Sequence, residues 1–229
     1  MTFVQESLYL GFVFTILAYL FGVWLKKKAG WAILNPLLVA TVVVIGGLLL
    51  TGIDYETYNQ SAQHISYLLT PATVCLAIPL YKQLHLLKKN FAAVIAAILS
   101  GVVASAFCIF VLCLLFRLDH VSYVSLLPKS ITTAIALGVS EEAGGVVTIT
   151  VVCIMITGIF GNMIGETALR WFKIKEPMAK GLALGTAAHA IGTTKALELG
   201  EVEGAMSSLS IAVAGLLTVI AVPVVSGWI

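Results

Sequence analysis

Two adjacent carboxylates, Glu141 and Glu142, lie within an apolar stretch and are followed by an alanine and two glycines. A charge at the centre of a bilayer costs roughly 3 kcal/mol or more, so such residues usually face a cavity or a partner. Adjacent carboxylates also raise each other's proton affinity. The pair is therefore a candidate for ion coupling by loading and releasing a proton. The alternative is that this segment reaches the outer interface, where both carboxylates are solvated.

A second polar stretch, TAAHAIGTTK at residues 186–195, contains a histidine and a lysine. Histidine titrates in the physiological range. A cation beside threonine hydroxyls and backbone amides that a glycine leaves without helical hydrogen bonds forms an anion pocket, which suits a small carboxylate. The alternative is a core histidine bonded to a carbonyl group and a lysine that extends to the surface. The predicted substrate-binding residues of this stretch are His189, Thr193, Thr194 and Lys195.

Lys129 and Ser130 complete the predicted substrate-binding set. They follow Pro128 at the predicted start of a half-helix, where free N–H groups and the positive end of the helix dipole favour an anion. Lys129 is equally compatible with a role as an interfacial anchor.

An internal repeat connects the first two polar stretches. IALGVSEEAGG at 135–145 matches LALGTAAHAIG at 182–192 at several positions, and Glu142 aligns with His189. Non-helical backbone at membrane depth is tolerated only where it is buried in protein or lines a polar cavity, so paired broken segments are typical of a transporter site. The predicted structural breaks are Pro71, Pro79, Gly144, Gly145 and Gly192.

The composition shows which elements must position these residues. Of 229 residues, 60% are hydrophobic and 10% are charged, and the mean hydropathy is +1.05. Since each crossing needs roughly 20 apolar residues, the chain is predicted to be an all-α polytopic membrane protein with one transmembrane domain, residues 1–229. We expect seven or eight segments, with discontinuous or re-entrant helices in an inverted-repeat transporter fold.

Basic clusters at 26–28, 82–89 and 170–180 predict the orientation. By the positive-inside rule these loops are cytoplasmic and the N-terminus is outside. The predicted segments are 7–25, 34–51, 64–81 with a proline kink, and 90–116. A half-helix over 129–139, a tip at 140–145 and a returning helix over 146–165 follow. The last part comprises 179–190, a polar connection at 191–204 and a helix over 205–225; the sequence leaves open whether 128–145 and 179–203 are re-entrant or fully spanning.

Enzyme signatures are missing from the sequence. It has no GxxxxGK[ST] phosphate loop, no HExxH pair and no GxSxG elbow, and its carboxylates are not spaced like metal ligands. We therefore expect no enzymatic activity, no cofactor, no metal and no nucleic-acid partner.

Four stretches together resemble the bacterial CidB/LrgB family: residues 70–81, 127–136, 140–145 and 185–196. The resemblance covers almost the whole chain. It implies a bacterial inner-membrane protein that acts with a small membrane partner of the CidA/LrgA type. It also implies two activities, control of murein hydrolases in autolysis and movement of pyruvate, while a plant relative resembles the plastidic glycolate/glycerate translocator.

Two functions are therefore expected. The first is secondary transport of a small monocarboxylate such as pyruvate or glycolate, coupled to H⁺ or Na⁺ and linked to murein hydrolase control. The second is a holin-like or antiholin-like regulator that acts with the CidA/LrgA-type partner and transports nothing itself. Either function is compatible with a homo-oligomer in the lipid bilayer.

Overall fold

A computed structural model of the protein describes residues 9–29, 34–68, 71, 74, 75 and 77–229. All regular structure in these residues is helical, which confirms the predicted all-α class. Four helices are long and apolar enough to cross a membrane: Leu10–Ala29, Phe91–Phe116, Val147–Trp171 and Glu201–Trp228. By internal contacts the chain divides into two compact units, Met1–Cys75 and Leu76–Ile229.

The first unit contains helices α1 (Leu10–Ala29), α2 (Pro36–Thr51) and α3 (Tyr55–Ser66). Helix α2 begins two residues after the start of the predicted segment 34–51: the Asn35 side chain accepts a hydrogen bond from the Leu37 amide at 2.8 Å, with proline at the first helical position. Helices α1 and α3 pack together, and the Gly11 amide donates to Ser61 Oγ at 2.7 Å.

The predicted segment 64–81 with its proline kink lies partly outside the described residues. Helix α3 ends at Ser66, residues 71, 74 and 75 are helical, and helix α4 spans Ala77–Lys82. Pro79 lies within α4, and the chain is helical on both sides of it. Pro71 lies in a stretch of which residues 69, 70, 72, 73 and 76 are outside the described part.

Three long helices frame the second unit: α6 (Phe91–Phe116), α9 (Val147–Trp171) and α11 (Glu201–Val225), followed by a 3₁₀ turn at Ser226–Trp228. Helix α4 packs on α11, and α5 (Leu84–Lys89) leads into α6. A helix of 25 residues is about 37 Å long, enough to cross the hydrocarbon core of a bilayer.

The two ends of this unit differ in charge. The basic clusters at 82–89 and 170–180 lie where α6 begins and α9 ends, which we call the basic end. Helix α11 begins at the same end, since Glu203 lies 4.0 Å from Lys180. At the opposite end, the Tyr123 hydroxyl donates to the Val225 carbonyl at 2.9 Å. The prediction that the basic end is cytoplasmic follows from these charges.

Residues 120–142 form a re-entrant hairpin, which we call hairpin 1. It consists of α7 (His120–Leu126), a turn at 127–132 and α8 (Thr133–Glu142). It starts at the opposite end, where His120 Nδ1 lies 2.6 Å from the Ile229 carbonyl. Its turn reaches the middle of α6, where Ser130 Oγ is 3.4 Å from Ser105 Oγ. Helix α8 then returns, because Ser140 Oγ lies 2.7 Å from Thr150 Oγ1 near the start of α9.

The predicted order of half-helix and tip is therefore reversed in this region. The deep turn is at 127–132, and the predicted tip at 140–145 lies at the opposite end. The Ile131 amide donates to the Pro128 carbonyl, which closes the turn before the helix begins at Thr133. Gly144, with φ of 78°, and Gly145 do interrupt the chain between α8 and α9, and α9 begins one residue after its predicted start.

A second re-entrant hairpin, hairpin 2, is formed by α10 (Pro177–Leu199). Ala188 (φ −132°, ψ 19°) and His189 (φ 43°, ψ −137°) have non-helical backbone angles. Leu184 and Ala196 pack in one cluster with Leu169 of α9, although twelve residues of straight helix would separate them by about 18 Å. The arms 177–187 and 190–199 are therefore antiparallel, and the hairpin enters from the basic end.

This geometry corrects two expectations for the last part of the chain. The predicted polar connection at 191–204 is largely helical; the break lies at Ala188 and His189, and α11 begins at Glu201 rather than Ala205. Gly192 lies beyond the break, within the second arm. A side chain there would overlap the Leu184 carbonyl oxygen, so the glycine allows the arms to approach.

The two hairpins oppose each other across the second unit. Ile131 in the turn of hairpin 1 packs in one cluster with Ile154 of α9. His189 in the turn of hairpin 2 lies 3.1 Å from the Ile154 carbonyl through Nε2. Both turns therefore meet the same residue of α9, having entered from opposite ends, as an inverted-repeat fold requires.

Candidate anion-binding cavity

A cavity of about 850 Å³ lies between α6 and the first arm of hairpin 2. It extends from Asn90 and the exposed Glu176 at the basic end to Lys129 and Ser130 in the turn of hairpin 1. Its volume is in the range of small-molecule sites. The walls are mostly small and apolar: Ala93, Ala97, Gly101, Ala104, Ala179, Ala183 and Ala187.

Lys129 is the single cation among the described residues that line this cavity. Its Nζ donates to Ser130 Oγ at 3.0 Å. No carboxylate of the described residues lies within 4 Å of it. A half-buried charge among apolar walls is unfavourable without a partner. The inner end of the cavity is therefore suited to an anion.

Hydroxyl groups surround the same point. Ser130 Oγ lies 3.4 Å from Ser105 Oγ, and both residues adjoin Thr186 around a small neighbouring cavity. The buried Thr186 Oγ1 makes no hydrogen bond within the described structure. Leaving a buried hydroxyl unsatisfied costs about 1 to 3 kcal/mol. A bound carboxylate could accept hydrogen bonds from the lysine and from these hydroxyls.

His189 is buried in the turn of hairpin 2 and does not line the cavity. Since a carbonyl oxygen only accepts, the contact with Ile154 makes Nε2 the donor. Thr193 fixes the same turn, because its Oγ1 donates to the His189 carbonyl at 3.0 Å and lies 2.7 Å from Ser207 Oγ. This is the geometry of the core-histidine alternative. A substrate-binding role for these two residues stays a prediction.

Thr194 and Lys195 lie on the second arm of hairpin 2 and are also outside the lining of the cavity. Lys195 Nζ lies 3.0 Å from Glu166 and 3.2 Å from Glu198, so its charge is balanced. Thr194 Oγ1 accepts a hydrogen bond from Asn162 Nδ2 at 3.0 Å. These contacts connect the arm to α9, and the structure does not bring Lys195 to Lys129 as a second cation of the cavity.

Glu141 and Glu142 are exposed at the end of α8, away from the cavity. No cation of the described residues lies within 4 Å of either carboxylate. Their position corresponds to the solvated alternative, because α9 begins beside them and then crosses the whole unit. Their coupling role stays a prediction.

Comparison with known proteins identifies the family. Residues 15–228 match the LrgB-like family. This chain belongs to the LrgB-like family. The antiholin-like proteins LrgB of Bacillus cereus (strain B4264) and of Bacillus anthracis (strain CDC 684 / NRRL 3495) are each 40% identical to it over 216 residues, which is 94% of either chain. No solved structure matches the chain.

Membership of the LrgB-like family confirms the predicted resemblance and agrees with a multi-pass membrane protein. In this member, sequence reasoning missed Ser105 and Thr186. The signals available for them are weak. Ser105 is the single hydroxyl-bearing residue among the alanines and glycine with which α6 lines the cavity. Thr186 lies three residues before His189, which carries the stronger chemical signal of that segment.

Proposed function

We propose that this member of the LrgB-like family is a secondary transporter of small monocarboxylates of the pyruvate and glycolate class. Lys129 carries the proposal: it is a cation without a carboxylate partner among the described residues, at the inner end of a cavity and in the turn of one of two opposed hairpins. Discontinuous elements that meet near mid-depth are the binding sites of known transporter folds.

The charges of the cavity favour a monocarboxylate. One anionic group can pair with Lys129, and the hydroxyls of Ser105, Ser130 and Thr186 can orient it. The alanine-rich walls accept a short apolar or hydroxylated remainder. A dicarboxylate would bring a second charge for which the described lining holds no cation, and Glu176 at the mouth would repel it.

The cavity suggests one state of a transport cycle. It reaches the surface at the basic end, whereas an apolar cluster fills the opposite end: Ile109, Cys113, Tyr123, Val124, Leu127, Val139, Val222 and Val225. With the basic end in the cytoplasm of a bacterial inner membrane, this is an inward-open arrangement. Release on the other side would require this cluster to separate while the cavity closes between Lys129 and the basic end. Coupling to H⁺ or Na⁺ would drive this change.

The second candidate function is regulation. The relatives are named antiholin-like, and this name favours a protein that acts on murein hydrolase activity together with a CidA/LrgA-type partner. Such a protein needs no uncompensated lysine in a cavity. The two functions are compatible if carboxylate movement is how the protein affects autolysis.

Uptake into proteoliposomes tests the proposal. Purified protein is reconstituted, and accumulation of labelled pyruvate, glycolate and lactate is measured with and without an imposed pH gradient. We expect uptake above that of empty liposomes, background uptake for Lys129→Met, and parental uptake for Lys88→Met, an exposed lysine outside the cavity. Parental uptake by Lys129→Met contradicts the site. No uptake of any of the three acids by folded parent protein favours the regulator.

A further inference from the structure

A second pocket, of about 380 Å³, lies at the basic end of the second unit where α9 ends and hairpin 2 begins. Four cations line it: Arg170, Lys173, Lys175 and Lys180. We call it the basic pocket. It is separate from the cavity described above, with which it shares no lining residue.

The carboxylates nearby do not balance these charges. Glu166 is the single acid among the described lining residues, and it already lies 3.0 Å from Lys195. Lys180 has a distant partner in Glu203, at 4.0 Å. Arg170, Lys173 and Lys175 have no carboxylate of the described residues within 4 Å. The lining of the basic pocket therefore holds more cations than carboxylates.

The backbone brings these cations together. The Ile174 amide donates to the Leu169 carbonyl at 2.9 Å, and Lys173 adopts φ of 56°, so α9 ends in a left-handed residue. The chain then turns back, and Lys173 and Lys175 line the same pocket as Arg170 of the helix. Leu169 and Leu199 give the pocket an apolar side.

Exposed aromatic residues indicate the depth of the basic pocket. Trp171 and Phe172, next to Arg170 in sequence, are 79% and 77% exposed. Large aromatic side chains at the end of a crossing helix lie at the level of the lipid headgroups. An anion that meets the pocket at this depth is the phosphate of a membrane lipid, and basic pockets between helices on the cytoplasmic side are suited to such headgroups.

We propose that the basic pocket binds the headgroup of an anionic phospholipid. The lipid phosphate pairs with Lys173, Lys175 and Arg170, and its glycerol region lies against the apolar side. Because Arg170 of α9 and Lys180 of the first arm of hairpin 2 both line the pocket, a bound headgroup lies between the helix and the hairpin. The proposal is independent of transport.

Lipid titration of the full-length protein tests the proposal. The melting temperature in a neutral detergent is followed as phosphatidylglycerol or phosphatidylcholine with the same acyl chains is added, and native mass spectrometry counts bound lipids. We expect phosphatidylglycerol, not phosphatidylcholine, to raise the melting temperature. Each lysine near an anionic lipid contributes roughly fivefold to affinity, so Lys173→Gln with Lys175→Gln should weaken binding by about 25-fold.

The matched control is Lys82→Gln with Lys88→Gln, which removes two exposed lysines of the basic end outside the pocket. This pair should leave phosphatidylglycerol binding within about twofold of the parent. Equal loss in both double variants, or parental binding in the pocket variant, overturns the proposal. A free soluble anion is the ligand instead if inorganic phosphate or glycerol phosphate stabilises the parent as much as phosphatidylglycerol does at the same concentration.

Discussion

Replacing Gly192 with alanine should separate the arms of hairpin 2. A Cβ at this position would overlap the Leu184 carbonyl oxygen and lie 2.7 Å from the Ala188 Cβ. Neither obstacle is the end of a flexible side chain, so the arms themselves must move. Overpacking of this kind costs about 1 to 3 kcal/mol, while alanine gains up to about 1 kcal/mol over glycine within a helix. We expect a net destabilisation of up to about 2 kcal/mol.

The assay is thermal unfolding of purified protein in a mild detergent. For a chain of this length, 1 kcal/mol corresponds to about 2 to 4 °C, so Gly192→Ala should melt up to about 8 °C below the parent. The matched control is Gly138→Ala in α8, where a Cβ meets nothing within 4 Å. It should melt at or slightly above the parental temperature. If Gly192→Ala melts no lower than Gly138→Ala, the antiparallel packing of the two arms is refuted.

Three further predictions concern charged residues. Lys195→Met removes partly exposed ion pairs with Glu166 and Glu198. The free energy of unfolding, measured by thermal unfolding, should therefore fall by no more than about 1 kcal/mol. Hydrogen bonds from Ser122 hold the pKa of Asp119 below its ordinary value, so the carboxylate stabilises the fold at neutral pH and this stabilisation is lost as the pH falls through that pKa. In the Asp119→Asn variant, the melting temperature should therefore change less than in the parent as the pH is lowered from neutral to about pH 3. Glu142→Gln should leave pyruvate binding unchanged, and uptake under a pH gradient decides the predicted coupling role: lost accumulation supports it, and parental accumulation excludes it.

The long apolar helices follow directly from composition, and the structure confirms them because length and hydropathy are local properties. The two hairpins were harder to place. The repeat aligns 135–145 with 182–192, yet the part of hairpin 1 that corresponds to the turn at His189 is 127–132. In a chain rich in alanine, leucine and glycine, several identical positions do not fix which turn matches which.

The predicted break at Gly192 is also misplaced, because the turn of hairpin 2 contains no glycine. The turn uses Ala188 and His189, and the positive φ of His189 is held by contacts distant in sequence, from its ring to Ile154 and from its carbonyl to Thr193. Local sequence rules assign such angles to glycine and therefore indicate Gly192, three residues late. Lys129 is predictable from the sequence because a proline and a lysine are unusual within an apolar segment. The place of Thr186 in the site depends instead on the packing of α6 against it.

The central claim, that Lys129 holds a carboxylate at the inner end of the cavity, is tested most directly by equilibrium binding of labelled pyruvate to the purified protein. A hydrogen bond to a charged group contributes about 1.5 to 3 kcal/mol, which corresponds to a loss of roughly 10- to 100-fold in affinity. We predict this loss for Lys129→Met and parental affinity for Lys195→Met, provided that both variants remain folded. Parental affinity in Lys129→Met, or a comparable loss in Lys195→Met, would contradict the account.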